Sequence, residues 1–193
     1  MKLIKLNKKS FNIVLKEAER AVREGKVVIC PTDTVYGLCA NALNQKAVNK
    51  VFKIKKRSKK KPLSVFAKSI GEASKISFLR KAEAEKIKSG KVTGILKAKR
   101  KFPKGVLAKG GTIGVRIPDH VFIKKLLKMV KTPLTGTSAN VSGKPASMNI
   151  KEILLQFEKE KYKPDLVIDS GNLKKRKPST VVDFTREGRT IRK

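Results

Sequence analysis

GKVVICPTDTVYGLCANA, residues 25–42, is the stretch whose reading decides the fold of this chain. Val27, Val28 and Ile29 are consecutive, apolar and β-branched, which reads as a buried strand. Pro31 ends the pairing, because it has no N–H to donate to a ladder. Thr32, Asp33 and Thr34 then bring small hydroxyl and acid side chains, followed by Tyr36 and Gly37. A strand that empties into a polar, turn-rich loop ahead of a helix is where open α/β sheets place their ligands.

The pattern on either side of this stretch alternates strands with helices. Upstream, Leu3–Leu6 reads as an edge strand. Ser10 is placed to cap a helix with Phe11, Val14, Leu15, Ala18, Ala21 and Val22 on one stripe, and Gly25 to end it in a left-handed turn. Downstream, Asn44 caps a helix carrying Val48, Val51, Phe52 and Ile54, stopped by Pro62. Strands are expected at Leu63–Ala67, Val92–Leu96, Val106–Ala108, Thr112–Ile117, Leu134–Ser138, Leu166–Ile168, Thr180–Phe184 and Thr190–Arg192. Helices are expected at 69–76, 80–88, 150–157 and after a cap at Asp119, and a basic loop over 172–177. No internal repeat and no long linker interrupts the pattern. The expectation is an α/β fold, a single domain with a twisted, mixed central sheet flanked by helices.

Composition narrows the function classes. The 193 residues are 39% hydrophobic, enough for a core, and no apolar run approaches a membrane span. The N-terminal MKLIKLNKKS is too polar for a signal peptide, so a cytoplasmic location is expected. Cys30 and Cys39, with the single His120, do not make a zinc site, and no metal ligand set is assigned. The net charge of +33 points to a polyanionic partner, RNA or nucleotide phosphates.

Two nucleotide motifs are excluded. Gly136–Lys144 has the wrong spacing for a P-loop, and Pro145 stands where Ser or Thr is required. Gly110–Gly114 leads into a strand and not a helix, which rules out the dinucleotide fingerprint. What remains is convergent cations and small donors. Seven of the nine residues of KIKKRSKKK, 53–61, are basic. Within it Lys55 and Arg57 are two apart, so both reach one phosphate only if the helix unwinds between them. Lys53, Lys56, Lys59 and Lys60 read as a solvated basic face. Ser138 and Asn140 follow a strand and are neutral donors suited to phosphate or ribose oxygens.

Five motifs stand in one order: PTDTVYGL at 31–38, Lys55-x-Arg57 ahead of Pro62-Leu63, GTIGVRIPDH at 111–120, TSANVSGKPA at 137–146 and PSTVVD at 178–183. The ordered set resembles the YrdC-like family of L-threonylcarbamoyladenylate synthases, over nearly the whole chain. The resemblance implies one catalytic domain over 1–193, without the extra C-terminal domain of longer relatives. It implies a nucleotidyltransferase that makes threonylcarbamoyl-AMP and pyrophosphate from L-threonine, bicarbonate and ATP with Mg²⁺. The resemblance further implies that the product feeds threonylcarbamoyladenosine modification of tRNA through a downstream transferase. By position it assigns Lys55, Arg57, Ser138 and Asn140 to catalysis. ATP contacts fall on Lys55, Arg57, Lys61, Thr112, Asn140 and Arg192, and L-threonine contacts on Thr34, Tyr36, Arg116, Ser138 and Ser179. Three positions depart from the family pattern: Ser58 for a frequent proline, Cys39 for glycine and Phe66 for histidine. The competing reading is a non-enzymatic protein binding double-stranded or ribosomal RNA in ribosome assembly. The basic runs favour it, and an aromatic content of 5% speaks against stacking on bases.

Overall fold

The computed structural model describes residues 1–174, 176–186 and 188–192. Lys175, inside the expected basic loop, and Glu187 and Lys193 lie outside the described residues. In chain order the elements are β1 (Lys2–Lys5), α1 (Phe11–Arg23), β2 (Val28–Cys30), β3 (Gly37–Cys39), α2 (Gln45–Lys55) and β4 (Val65–Phe66). Then come α3 (Ile70–Ile76), α4 (Lys81–Lys88), β5 (Val92–Lys97), β6 (Thr112–Arg116) and α5 (Val121–Val130). The chain continues through β7 (Leu134–Thr135), β8 (Thr137–Ser138), α6 (Ile150–Glu158), β9 (Leu166–Asp169), β10 (Thr180–Asp183) and β11 (Arg189–Arg192).

The α/β architecture with mixed sheets flanked by helices is as expected, and the strands divide between two sheets. One runs β1-β9-β2-β3-β8 and the other β11-β10-β5-β6-β4-β7. Both combine parallel and antiparallel pairs: β2 lies parallel to β9 but antiparallel to β3, and β6 parallel to β4 but antiparallel to β5. The buried run at 27–30 is covered on both faces. Val27 and Ile29 join the core beneath α2, while Val28 and Cys30 face α1 and α5. That two-sided burial explains its continuous apolar composition.

Several local expectations are corrected. The second helix is not stopped by Pro62: it ends at Lys55, where Lys56 turns left-handed. The loop after Pro31 does not run into a helix: it folds back as β3, antiparallel to β2, with Cys30 opposite Gly37. The expected strand 134–138 splits at Gly136, giving β7 to one sheet and β8 to the other. Thr135, fully buried, seams the sheets: its N–H donates to Ala40 O at 2.8 Å and its hydroxyl to Leu38 O at 3.1 Å. Residues 106–108 form no strand: Val106 lies in a turn, and Leu107 makes an isolated bridge to Lys104.

Helix ends follow side-chain chemistry where a partner exists. Asn44 caps α2 by accepting from Ala47 N at 3.1 Å, and Gly25 takes φ +74 after α1. Ser10 does not cap α1, because its hydroxyl is turned to Lys5 O at 2.9 Å. Asp119 does not cap α5 either; the cap position is His120, and Asp119 holds Lys124 at 2.6 Å.

Candidate active site

The site is built from the end of α2 outward. Lys56 adopts a left-handed conformation, φ 50, and its N–H closes back on Lys53 O at 3.2 Å. The helix therefore ends between Lys55 and Arg57, the unwinding their spacing required. It sends the two side chains apart, however. Lys55 is 2% exposed, and its Nζ donates to Ser138 O at 2.6 Å, Asn140 O at 2.8 Å and Asn140 Oδ1 at 3.0 Å. Burial, with the nearby Arg57 charge, pushes Lys55 down to about 7, while three acceptors engage all three N–H of the ammonium form. Arg57 turns outward and clamps the return of the basic turn, donating from Nε to Lys61 O at 2.7 Å and from Nη2 to Pro62 O at 3.0 Å.

The 136–146 loop faces the end of α2. Gly136 passes so close to the Phe66 ring that a Cβ there would lie 2.7 Å from it. Beyond it, Ser138 Oγ donates to Asn140 Oδ1 at 2.5 Å, and Asn140 Nδ2 donates to Val141 O and Lys144 O at 3.0 and 2.6 Å. Ser142 N returns to Lys55 O at 2.7 Å. The two motifs Lys55-x-Arg57 and Ser138-x-Asn140 thus form one unit, with Lys55 and Asn140 as its inner layer.

Across the cleft, Arg116 is seated by three partners. Its Nε donates to Gly90 O at 2.8 Å, Nη1 to Thr34 Oγ1 at 3.2 Å and Nη2 to Asp33 Oδ2 at 2.8 Å. Its guanidinium lies 5.7 Å over the Phe66 ring. The Tyr36 hydroxyl is committed elsewhere: it donates to Gly171 O at 2.6 Å and accepts from Ser170 N at 3.0 Å, and burial pushes its pKa up to about 12. Ser179 and Thr93 share a hydrogen bond of 2.9 Å, and Arg192 Nη2 holds Ser179 O at 2.9 Å.

These groups surround a cleft of about 660 Å³ between the sheets. Thr34, Tyr36, Arg57, Lys61, Thr112, Arg116, Ser138, Ser179 and Arg192, to which the resemblance assigns ligand contacts, line it. Lys55 and Asn140 do not: both are saturated by protein partners behind the wall, so the cleft meets Arg57 and Ser138 from those motifs. Lys60, set aside in the sequence as solvated, also lines the cleft, together with Lys109 and Arg186. A lysine run carries no mark of which member turns inward, so Lys60 could not be singled out from the sequence.

The cleft is strongly cationic. Burial and the charge of Arg192 lower the pKa of both Arg57 and Arg116, although the Asp33 charge opposes the shift at Arg116. Like charges held together in a half-dry cleft make a place where an anion relieves repulsion. Among the described residues no group of three His, Cys, Asp or Glu side chains is placed to hold a metal ion. The acid on the cleft wall, Asp183, is engaged by the Thr185 hydroxyl at 2.6 Å.

The Sua5/YciO/YrdC family model, described as "Telomere recombination", matches residues 20–193. A relative named "Putative threonylcarbamoyl-AMP synthase" from Methanocaldococcus jannaschii is 42% identical over 94% of this chain and 86% of its own length. The threonylcarbamoyl-AMP synthase of Pyrococcus abyssi is 33% identical over 85% of the chain, which spans only about half, 48%, of that protein. Among solved structures, P. abyssi Sua5 complexed with L-threonine superposes with a TM-score of 0.87 at 30% identity, over 96% of this chain and 55% of that one. YciO of E. coli superposes with a TM-score of 0.85 at 27% identity, over 100% of this chain and 94% of that one. The chain belongs to the Sua5/YciO/YrdC family.

Proposed function

We propose that this chain is a threonylcarbamoyl-AMP synthase, a nucleotidyltransferase that forms an acyl-adenylate analogue from L-threonine, bicarbonate and ATP. The observation that carries the reading is the convergence, in one cationic cleft, of an arginine with free N–H groups and a second set of cations. Arg116 has five N–H donors and spends three on Gly90, Thr34 and Asp33. The remaining two, one on each terminal nitrogen, are what a carboxylate takes as a fork. Arg57, Lys61 and Arg192 supply charge for a triphosphate, with Ser138 and Thr112 as neutral donors. The names of the relatives, and the threonine in the P. abyssi complex, support the same substrates.

The reaction is the one the family resemblance implies. The threonine amine adds to the carbon of bicarbonate and water leaves, giving a carbamate. A carbamate oxygen then forms a bond to the α-phosphorus as the bond to the β-phosphate oxygen breaks, releasing pyrophosphate. The residues here bind, orient and neutralise; no covalent nucleophile is needed. The described residues fit a Mg²⁺ that arrives on the triphosphate better than one resident on the protein, since their acids form no ligand cluster. Bound there, it would neutralise charge on the leaving phosphates.

Purified protein with ATP and Mg²⁺ should release pyrophosphate only when threonine and bicarbonate are both present. Serine should serve poorly, because loss of the methyl contact costs about 1–3 kcal/mol. Release that ignores threonine would make the protein a generic ATPase and sink the reading. We further read the surplus charge, in the runs 53–61 and 97–104, as sequence-independent RNA affinity beside the enzymatic activity. Binding of labelled tRNA should then fall steeply with salt, and a flat response would remove it. The product would pass to a tRNA-modifying transferase in the cytoplasm; no helix among the described residues is long and apolar enough to cross a membrane.

A further inference from the structure

The Asp33 side chain is 4% exposed and does not line the cleft, yet it makes the charged contact that seats Arg116. Its Oδ2 accepts from Arg116 Nη2 at 2.8 Å. Its Oδ1 is buried without a hydrogen-bond partner among the described residues. A carboxylate with one oxygen unmatched in the interior has a single strong interaction, and here that interaction is Arg116. We propose that Asp33 is the positioning residue of the amino-acid subsite, holding the Arg116 guanidinium so that its two free N–H groups face the cleft as a fork. The inference rests on the synthase reading and names a residue that acts through Arg116 without touching substrate.

Three features support the assignment. First, the Arg116 side chain is only 7% exposed and stands near the charge of Arg192. A guanidinium so buried beside a like charge is held in place only with a compensating anion. Second, the seat is tight on the Asp33 side. Gly90, at φ +74, offers its carbonyl to Arg116 Nε, and a Cβ on it would lie 3.1 Å from Asp33 Oδ2. Third, Asp33 takes one N–H of Nη2 and Thr34 one of Nη1, so the resident partners fix the plane of the guanidinium and leave one donor on each terminal nitrogen. Without Asp33 only the neutral Gly90 carbonyl and Thr34 hydroxyl hold the buried charge, and the Nη2 side of the fork is no longer fixed even though Arg116 remains.

The test is calorimetric binding of L-threonine alone and of ATP with Mg²⁺ alone, on the full chain. Asp33→Ala should weaken threonine binding at least tenfold and leave ATP affinity within about twofold, since the phosphate-side cations are untouched. Asp33→Asn keeps an acceptor of the same shape but no charge, and should fall between wild type and Asp33→Ala. It also preserves the test should Asp33→Ala not fold. Threonine affinity unchanged in either folded variant would overturn the proposal. So would threonine and ATP affinities falling together, which is the mark of a general packing defect. Wild-type protein that binds ATP but no threonine would overturn the amino-acid reading itself and the inference with it, an outcome seen before any variant is made.

Discussion

Lys55→Met is the sharpest test of how the two motifs divide their work. Methionine keeps most of the apolar stem and removes the ammonium, which holds three acceptors at 2.6 to 3.0 Å. Two of the acceptors keep a second donor: Ser138 O keeps Asn140 N at 3.0 Å, and Asn140 Oδ1 keeps Ser138 Oγ at 2.5 Å. Asn140 O keeps none among the described residues. Stripping a buried carbonyl costs about 1–3 kcal/mol, and the two other bonds about 1 kcal/mol each. Against this, no carboxylate pairs with Lys55 among the described residues, so removing its buried charge returns about 1 kcal/mol. The net expectation is about 2–4 kcal/mol, or about 5–15 °C in Tm for a chain of this size. Thermal unfolding by circular dichroism measures it, and ATP titration on the same samples should show weaker binding as Ser138 and Arg57 lose alignment. A variant that keeps its Tm within about 2 °C but loses ATP binding would refute the reasoning, because it would make Lys55 a direct phosphate ligand.

Three further outcomes are expected. Gly136→Ala places a Cβ 2.7 and 2.8 Å from two ring atoms of Phe66, which should cost about 1–3 kcal/mol. Adding Phe66→Leu should recover part of the loss, and strict additivity in denaturant unfolding would remove the clash as the cause. Arg57→Ala should lower kcat/KM for ATP by roughly 100- to 1000-fold, with Arg57→Lys intermediate because a point charge replaces the fork; wild-type turnover from folded protein would take Arg57 out of the site. Burial holds the His120 imidazole below its ordinary 6.5, against the pull of Asp33 and Asp119, so the unfolded chain takes up that proton first. Stability should therefore fall as the pH drops below about 6.5, and the Tm loss between about pH 7.5 and 5.5 should be smaller in His120→Asn. Equal losses in the two proteins would exclude His120.

Much of this molecule is determined within short windows of its sequence. The stripe of α1, the turn at Gly25, the Asn44 cap and the buried run at 27–30 follow from spacing and side-chain chemistry that act over a few residues. The ordered motifs likewise indicated which side chains gather around the cleft, and nine of the implied residues do line it. Tertiary structure alone decided what each of them faces. Within KIKKRSKKK the lysines are chemically alike, and Lys55 turns inward because carbonyls 83 and 85 residues away offer the acceptors its ammonium needs. Lys60, five positions on, reaches the cleft because the chain doubles back at Lys61 and Pro62 under the Arg57 clamp. The three-residue β3 had no pattern long enough to read, and it exists because β2 and β8 supply its hydrogen bonds. The division of 134–138 between two sheets turns on Gly136 passing the ring of Phe66, a contact between residues 70 apart in sequence. Local chemistry names the elements and the reactive groups, whereas partners distant in sequence determine which groups reach the cleft and which hold them there.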